Sequence, residues 1–280
     1  LRTRRQRQMC IRDRDIIRPY KSKVPIISID DADVNDRTFQ PVSVGLKGNM
    51  AETLNSLQNL LGERETDLGW LKKARDCFDK IHNFELGISS EYRESSGIAP
   101  QAVYKEIRKV VPEETIIAAD AGAHKSLASQ AWLTNLPLKY FVSNGLSPMG
   151  FSLGAAMGAK MALPKAPVIS FVGDGGFLMY AGELATWKRL DIAMIQVIMV
   201  DNGLTQVKSK QLKKGYNTES TSFEKIDYKK IVESFGIDAI EAHSVPELVD
   251  GIKKALKLDK PVSIIVKLDG SEYLRMPSAV

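Results

Sequence analysis

The sequence predicts an α/β fold built on a doubly wound parallel sheet, and the pattern of apolar segments is the main reason. From residue 97 onward, short and nearly continuous apolar runs alternate with amphipathic stretches of helical length. Strands that are apolar throughout are typical of a parallel sheet covered on both faces. A hydrophobic content of 44% in 280 residues is ordinary for a globular protein and sufficient for such a core.

The segment ahead of this alternating region predicts part of a second α/β domain. Residues 24–30 (VPIISID) indicate a buried strand, and residues 50–61 indicate an amphipathic helix. Neither segment can bury its apolar face alone. We therefore expect residues 15–62 to be the C-terminal remnant of a domain that begins upstream. A helical linker over 63–96, with its helix at 67–83, is expected to follow.

Strands and helices then alternate to the end of the chain. Pro100 suits the first turn of a helix. Thr221 and Glu224 form a capping box that predicts a helix ending near Gly236, and Ser244 caps another. The predicted strands cover residues 115–120, 140–143, 167–172, 193–200 and 261–267, with helices over 125–133, 150–162 and 177–190 between them.

The positive charge of the chain is concentrated at its N-terminus. Residues 1–14 hold six Arg and one Asp, and the remaining residues carry 33 basic and 33 acidic side chains. The rest of the chain therefore gives no electrostatic reason to expect a nucleic-acid partner. The tail is open to three interpretations: a basic arm, a targeting presequence, or non-native sequence fused to a truncated gene. We expect a non-native or disordered tail.

Cysteine content and hydropathy favour a protein without disulfides or membrane spans. Cys10 and Cys77 form neither a disulfide framework nor a metal-binding spacing, which favours a reduced, cytoplasmic setting. No apolar run approaches the ~20 residues that a membrane helix requires. We expect no membrane partner.

Two acids mark the carboxyl ends of two predicted strands. Asp174 lies in the GDGG motif of residues 173–176, and Asp201 follows the next strand, 27 positions later. If the strands are neighbours in a parallel sheet, both carboxylates emerge at the edge where open α/β sheets bind ligands. Two oxygen ligands beside a Gly-rich helix N-terminus suit a magnesium–diphosphate group. The alternative is a pair of solvated acids at strand ends.

Three further stretches extend this pattern: residues 120–124 (DAGAH), 143–150 (SNGLSPMG) and 211–214 (QLKK). Together with the GDG motif, they give the chain a resemblance to acetolactate synthase-like enzymes that depend on thiamine diphosphate (ThDP), over roughly residues 20–270. The resemblance implies that residues 97–280 are the domain, of pyrophosphate-domain type, that binds the ThDP diphosphate and Mg²⁺. FAD, which the resemblance leaves possible, has no support in this segment.

The resemblance also implies a metal site. Asp174, Asp201 and the backbone carbonyl of Gly203 would hold Mg²⁺, with Asn202 as the alternative ligand one position on. The chain departs from the commoner family pattern here, because Val200 replaces an Asn and an acid replaces an amide at position 201.

Other residues receive roles by the same resemblance. Met149 would wedge between the two rings of a bent cofactor, unless it is an ordinary core residue. His124 would donate to a diphosphate oxygen or face substrate, unless it is a satisfied core histidine. Gln206 stands where acetolactate synthases typically carry Met. Met149 and Gln206 are the implied catalytic residues, and the implied cofactor-binding set is Ala123, His124, Ser147, Met149, Gly173, Asp174, Gly175, Gly176, Asp201, Gly203, Leu204, Thr205, Gln206 and Val207.

The implied reaction is decarboxylation of a pyruvate-like 2-oxo acid with carboligation to a second 2-oxo acid. A simple 2-oxo acid decarboxylase, another ThDP carboligase, or a cofactor-holding subunit inactive alone remain alternatives. The activating Glu of the family lies in a pyrimidine-binding domain, which we expect a missing N-terminal half or a partner chain to supply, in a homodimer or tetramer. A dinucleotide-dependent oxidoreductase is disfavoured, because no G-x-G-x-x-G follows the first strand.

Overall fold

The computed structural model describes residues 25–31, 42–63, 65, 67–82, 97–144 and 146–274, which form two compact units. The first unit takes in the described residues up to 80, with 144 and 146. It contains a parallel pair of strands and two helices: β1 (Ile27–Asp30), β2 (Val44–Lys47), α1 (Met50–Leu61) and α2 (Leu68–His82). The predicted tail and residues 83–96 of the predicted linker lie outside the described residues.

The first unit corrects one prediction and confirms another. The strand over 24–30 was predicted to be buried, but Ile27 is 59% exposed. Among the described residues only β2 pairs with β1, and β2 itself was not predicted because four residues with a central glycine give little strand signal. The helix over 50–61 is confirmed, and Asn49 Oδ1 caps it by accepting from the N–H groups of Ala51 and Glu52.

The second unit confirms the doubly wound α/β fold. Within its described residues, six parallel strands form one sheet in the order β4-β3-β5-β6-β8-β7. The chain passes in order through α3 (Pro100–Val110), β3 (Ile116–Ala119), α4 (Ala123–Ala131), β4 (Tyr140–Val142), α5 (Phe151–Ala162), β5 (Val168–Gly173), α6 (Asp174–Tyr180), a 3₁₀ turn (Ala181–Glu183), α7 (Leu184–Leu190), β6 (Ile195–Val200), α8 (Thr205–Lys213), α9 (Tyr228–Ser234), β7 (Asp238–Ala242), α10 (Val245–Ala255), β8 (Val262–Lys267) and α11 (Ser271–Leu274).

Apolar side chains cover both faces of this sheet, which is why its strands are apolar throughout. On one face, helices α3, α4 and α10 pack on the sheet around Tyr104, Leu127 and Leu248. On the other face, α5, α6, α7 and α9 pack around Trp187 and the rest of a second cluster. Successive residues of β5 contribute to opposite clusters, as the two-residue period of a strand requires.

The predicted capping box at Thr221 and Glu224 is wrong. Helix α9 begins at Tyr228 and is capped by Asp227, whose Oδ1 accepts from the N–H of Lys230. The carbonyl of Thr221 instead accepts from the N–H of Leu204 at 2.7 Å. The segment after Thr221 therefore pairs with the loop after β6 and is held away from any helix start.

The order of the strands fixes where a ligand can bind. From β3 the chain moves outward to β4 and then returns to β5 on the other side of β3, which makes the β3–β5 boundary a topological switch point. Loops that follow neighbouring strands diverge there and leave a crevice at the carboxyl edge. Within the described part of the chain, no helix is long and apolar enough to cross a membrane.

Candidate active site

A cavity of about 240 Å³ opens at this carboxyl edge, within the second unit. It lies among the turns that follow β3, β5 and β6, together with the segment that leads into α5. All fourteen residues predicted to bind a cofactor line it. The four lining residues that were not predicted are Ala121, Gly122, Met199 and Tyr273.

Asp174 organises the floor of the cavity. In the parallel register Gly173 lies opposite Met199, so β5 and β6 end at the same level. The buried Asp174 carboxylate accepts a hydrogen bond from the Gly175 N–H at 2.8 Å and two from the N–H groups of Asp201 and Gly203, both at 3.2 Å. It therefore ties the two acid-bearing turns together.

Burial opposes the ionisation of both acids. Burial raises the pKa of Asp174 to about 7, and the neighbouring Asp201 carboxylate contributes to that rise. Burial also raises the pKa of Asp201, against a hydrogen bond from Thr205. Two carboxylates that resist losing their protons are placed to receive a divalent cation, since a cation offsets both the burial and the repulsion.

The loop after β6 distinguishes the two possible metal ligands. Asp201 and Gly203 line the cavity, whereas Asn202 does not and is exposed. Asn202 has a φ of 58°, a left-handed conformation that Asn tolerates better than most residues. The described residues contain no group of three or more His, Cys, Asp or Glu that could hold a metal. Two carboxylates and a backbone carbonyl would therefore need ligand oxygens to complete a coordination shell.

Helix N-termini provide the anion-binding part of the site. Helices α4, α6 and α8 all begin in the cavity wall, and none has a side-chain cap hydrogen bond. N-termini without a capping side chain present backbone N–H groups and a partial positive charge at the cavity wall, although in α6 the Gly175 N–H already donates to Asp174. This arrangement suits phosphate oxygens and fits a diphosphate chelated to Mg²⁺.

The glycines of the GDGG motif bring backbone close to that space. A Cβ placed on Gly175 would lie 2.9 Å from Leu204 Cδ2 and 3.1 Å from Met149 Cε, so any larger residue would fill the cradle. The Met149 methyl group therefore lies directly over Gly175. This contact joins the predicted wedge residue to the predicted diphosphate turn.

His124 is buried and presents one nitrogen without a partner. Its Nε2 has no hydrogen bond among the described residues, and the ring lines the cavity. Burial lowers the pKa of His124 to about 4, and a hydrogen bond to the backbone carbonyl of Asp120 only partly offsets this. The imidazole is therefore neutral at pH 7, with an unsatisfied polar atom that a bound group would satisfy.

Ser147 is held in an uncommon backbone conformation by a lysine. Its φ is 50°, and its Oγ donates to the Ser143 carbonyl at 2.7 Å. Lys125 Nζ donates to both that carbonyl and Ser147 Oγ. Helix α4 thus supports the segment that carries Ser147, which was predicted to bind the cofactor.

Tyr273 was missed, although the topology could have revealed it. It follows β8, which neighbours β6, so its segment reaches the same edge of the sheet. A Cβ placed on Gly270 would lie 3.0 Å from Asp201 Cβ, which shows how closely this segment packs on the metal loop. All parallel strands end at the same edge of the sheet, so the segment after the last strand, β8, also reaches the site. This rule points to Tyr273.

Comparisons with known proteins identify the family that the chain matches. Residues 120–266, more than half of the chain, match the family described as thiamine pyrophosphate enzyme, C-terminal TPP binding domain. The chain is 30% identical to acetolactate synthase of Bacillus subtilis (strain 168), over 90% of this chain and 44% of that protein. It is 31% identical to the probable acetolactate synthase large subunit of Methanocaldococcus jannaschii, over 91% and 44%.

A third relative carries a different activity in its name. The chain is 28% identical to 3D-(3,5/4)-trihydroxycyclohexane-1,2-dione hydrolase of Bacillus subtilis (strain 168), over 86% of this chain and 39% of that protein. The chain spans less than half the length of each of these three relatives.

Proposed function

We propose that this chain, which belongs to the thiamine pyrophosphate enzyme family, is the ThDP-binding part of an acetolactate synthase-like enzyme. The reaction is decarboxylation of a pyruvate-like 2-oxo acid and joining of the remaining fragment to a second 2-oxo acid. One observation carries the proposal: the paired acids, the uncapped helix N-termini and Met149 converge on a single cavity.

Asp174, Asp201 and the Gly203 carbonyl would hold Mg²⁺, and the N-termini of α4, α6 and α8 would hold the diphosphate. The raised pKa values of the two acids support a cation site, because they record charge repulsion and burial that a cation would relieve. Bound ThDP supplies a carbon nucleophile and an electron sink for decarboxylation of the 2-oxo acid.

The chain's own residues bind, orient and exclude water. Met149 and Leu204 form an apolar edge over Gly175, where they would hold the cofactor rings away from water. His124 would hold a proton against a phosphate oxygen or the substrate. Gln206, which is exposed and lines the cavity, would face the acceptor side and affect which second 2-oxo acid is accepted.

The working enzyme needs a pyrimidine-binding domain, from a preceding segment or a partner chain, and we propose a cytoplasmic homodimer or tetramer. This chain alone is then expected to bind ThDP weakly. A cofactor-holding subunit without activity of its own, or a simple decarboxylase, are the alternatives that the experiments below separate.

The first experiment measures cofactor binding. ³¹P NMR of ThDP detects weak association with the chain in Mg²⁺ and in EDTA. We expect Mg²⁺-dependent broadening of the diphosphate signals that Asp174→Ala abolishes. The matched control is Asp250→Ala, which removes an exposed acid of α10 and should bind like the parent. If ThDP binds equally well in EDTA, or if Asp174→Ala binds it as well as the parent, the proposed metal site is wrong.

The second experiment identifies the product. The chain is combined with a pyrimidine-binding half, or studied in its full-length enzyme, and supplied with pyruvate. Acetolactate supports the proposal, and acetaldehyde alone identifies a simple decarboxylase. Cofactor binding without consumption of any 2-oxo acid would contradict the proposed reaction and favour a cofactor-holding subunit.

A further inference from the structure

Asp120 lies beside the candidate site but does not line its cavity. It follows β3 and is completely buried. Its Oδ2 accepts from the N–H of Gly150 at 2.7 Å, and its Oδ1 accepts from the N–H of Ser152 at 3.4 Å. A buried carboxylate is costly unless it is well bonded, so its position here requires a specific explanation.

The first bonding partner is the residue next to Met149. Gly150 is the N-cap of α5 and has a φ of 88°, and it has no side chain with which to cap the helix. A Cβ placed on Gly150 would collide with the ring of Tyr180, so the backbone here lies tightly against that ring. Asp120 therefore acts as the cap of α5 from a distant position in the sequence.

The same carboxylate also contacts the diphosphate turn. A Cβ placed on Gly176 would collide with Asp120 Oδ2. One carboxylate thus lies between the start of α5, which follows Met149, and the start of α6, which carries Asp174 and its glycines. The two starts meet across the cavity where the Met149 methyl group approaches Gly175.

We propose that Asp120 is a positioning residue that holds Met149 over the Gly175–Gly176 turn before any cofactor binds. The role of Met149 in catalysis rests on the proposed function. Its position over the turn does not, because that position is seen in the structure. Asp120 does not itself line the cavity. Its effect reaches Met149 through the Gly150 and Ser152 N–H groups, and it reaches the turn beneath Met149 through its contact with Gly176.

The test observes Met149 directly in the cofactor-free chain. Methionine labelled with ¹³C at its methyl group gives one signal per residue, and Met149→Leu assigns the signal of interest. Asp120→Ala removes both bonds, whereas Asp120→Asn keeps the shape and part of the bonding. We expect the Met149 signal to shift and broaden in Asp120→Ala and to move by an intermediate amount in Asp120→Asn.

A matched control separates this effect from loss of a helix cap in general. Ser244 caps α10, because its Oγ accepts from the Glu247 N–H, and Ser244→Ala removes that cap. It should leave the Met149 signal unchanged. If Asp120→Ala does not fold, Asp120→Asn decides the question. A Met149 signal that moves no more than that of the core residue Met194 would overturn the proposal.

The result is distinguishable from failure of the proposed function. If ThDP does not bind the parent chain but Met149 still responds to Asp120, the proposed function fails and the positioning role stands. In the ThDP-loaded full-length enzyme, Asp120→Asn is expected to slow hydrogen–deuterium exchange at cofactor C2 several-fold. Unchanged exchange together with an unchanged methyl signal would return Asp120 to a purely structural role.

Discussion

His124 shows how burial changes the part a single residue can play. Because its ring also donates to the Asp120 carbonyl, the unpartnered Nε2 of the neutral ring can only accept a hydrogen bond. Donation to a phosphate oxygen, as predicted from the sequence, therefore requires the ring to take up a proton when the cofactor binds. The lowered pKa keeps the ring neutral at pH 7, and donation to a phosphate would require it to become cationic.

The pH dependence of stability tests this environment. The folded pKa of about 4 lies below the ordinary value of 6.5, so the folded state binds fewer protons between these values. The stability that His124 contributes is complete above pH 6.5 and is lost as pH falls towards 4. Urea unfolding of the parent and of His124→Asn, without cofactor, should give a stability difference that decreases by about 3 kcal/mol over this range.

The exposed His243 offers the matched control for that measurement. His243→Asn makes the same substitution at an exposed position and should cost little stability at pH 7. A stability difference between parent and His124→Asn that stays constant from pH 7 to pH 4 would mean that the His124 ring is solvated.

Asp201 and Asn202 can be separated by mutation, although they are adjacent. Asp201→Asn should retain most Mg²⁺-dependent ThDP binding, since an amide oxygen can still ligate the metal, whereas Asp201→Ala should lose it. Asn202→Gly removes the amide without straining the left-handed backbone and should bind like the parent. ³¹P NMR of ThDP, with and without Mg²⁺, measures binding by all three variants. If Asn202→Gly loses binding and Asp201→Ala keeps it, the metal ligand is Asn202.

At the scale of elements, the start of α5 places Met149 for a role other than packing. Met149 is only half-buried and its methyl group lies over Gly175. Truncation of a core Met costs about 2–5 kcal/mol, so Met149→Ala should cost less than about 2 kcal/mol. It should instead slow exchange at C2 of ThDP in the full-length enzyme, because the bent cofactor loses its support.

Met194→Ala is the core control for Met149, because Met194 is buried in the cluster beneath α7 and α9. The Met194→Ala variant should lose about 2–5 kcal/mol of stability. Exchange at C2 of its bound ThDP should keep the rate of the parent enzyme. A Met149→Ala variant that behaves in the same way would identify Met149 as an ordinary core residue.

The elements also show where sequence patterns are sufficient and where they fail. Strands β5 and β6 were predictable, because buried apolar runs that end in an acid leave few other interpretations. The start of α6 at Asp174 was not, since Gly175 and Gly176 are poor helix formers and only tertiary contacts make them helical. The capping box at Thr221 failed because its carbonyl and the following N–H groups pair with the Asn202–Leu204 loop.

The candidate site was predictable where residues follow one another along a turn and not where the fold brings them from afar. Asp174 and Asp201 could be related through the spacing of two strands. Tyr273 and Asp120 could not, because their importance depends on which strands are neighbours and on which backbone N–H groups they meet. Sequence spacing carries no information about contacts of that kind.

At the scale of the molecule, both apolar clusters consist of residues from the second unit. They extend from Ile98 to Tyr273, whereas α1 has no buried residue. We therefore expect a fragment of residues 97–280 to unfold in one cooperative step, with the same Mg²⁺-dependent ThDP binding as the whole chain. Circular dichroism in urea and ³¹P NMR measure the two properties, and a fragment without cooperative unfolding would show that the first unit is needed.

The uncapped N-termini of α4, α6 and α8 have a consequence for the protein inside a cell. A ligand that binds these N-termini and the two acids only in the folded state should raise stability in proportion to the logarithm of its concentration. Proteases remove proteins according to how often they unfold. A cell short of thiamine would therefore be expected to degrade this enzyme faster, and its abundance would follow the vitamin supply.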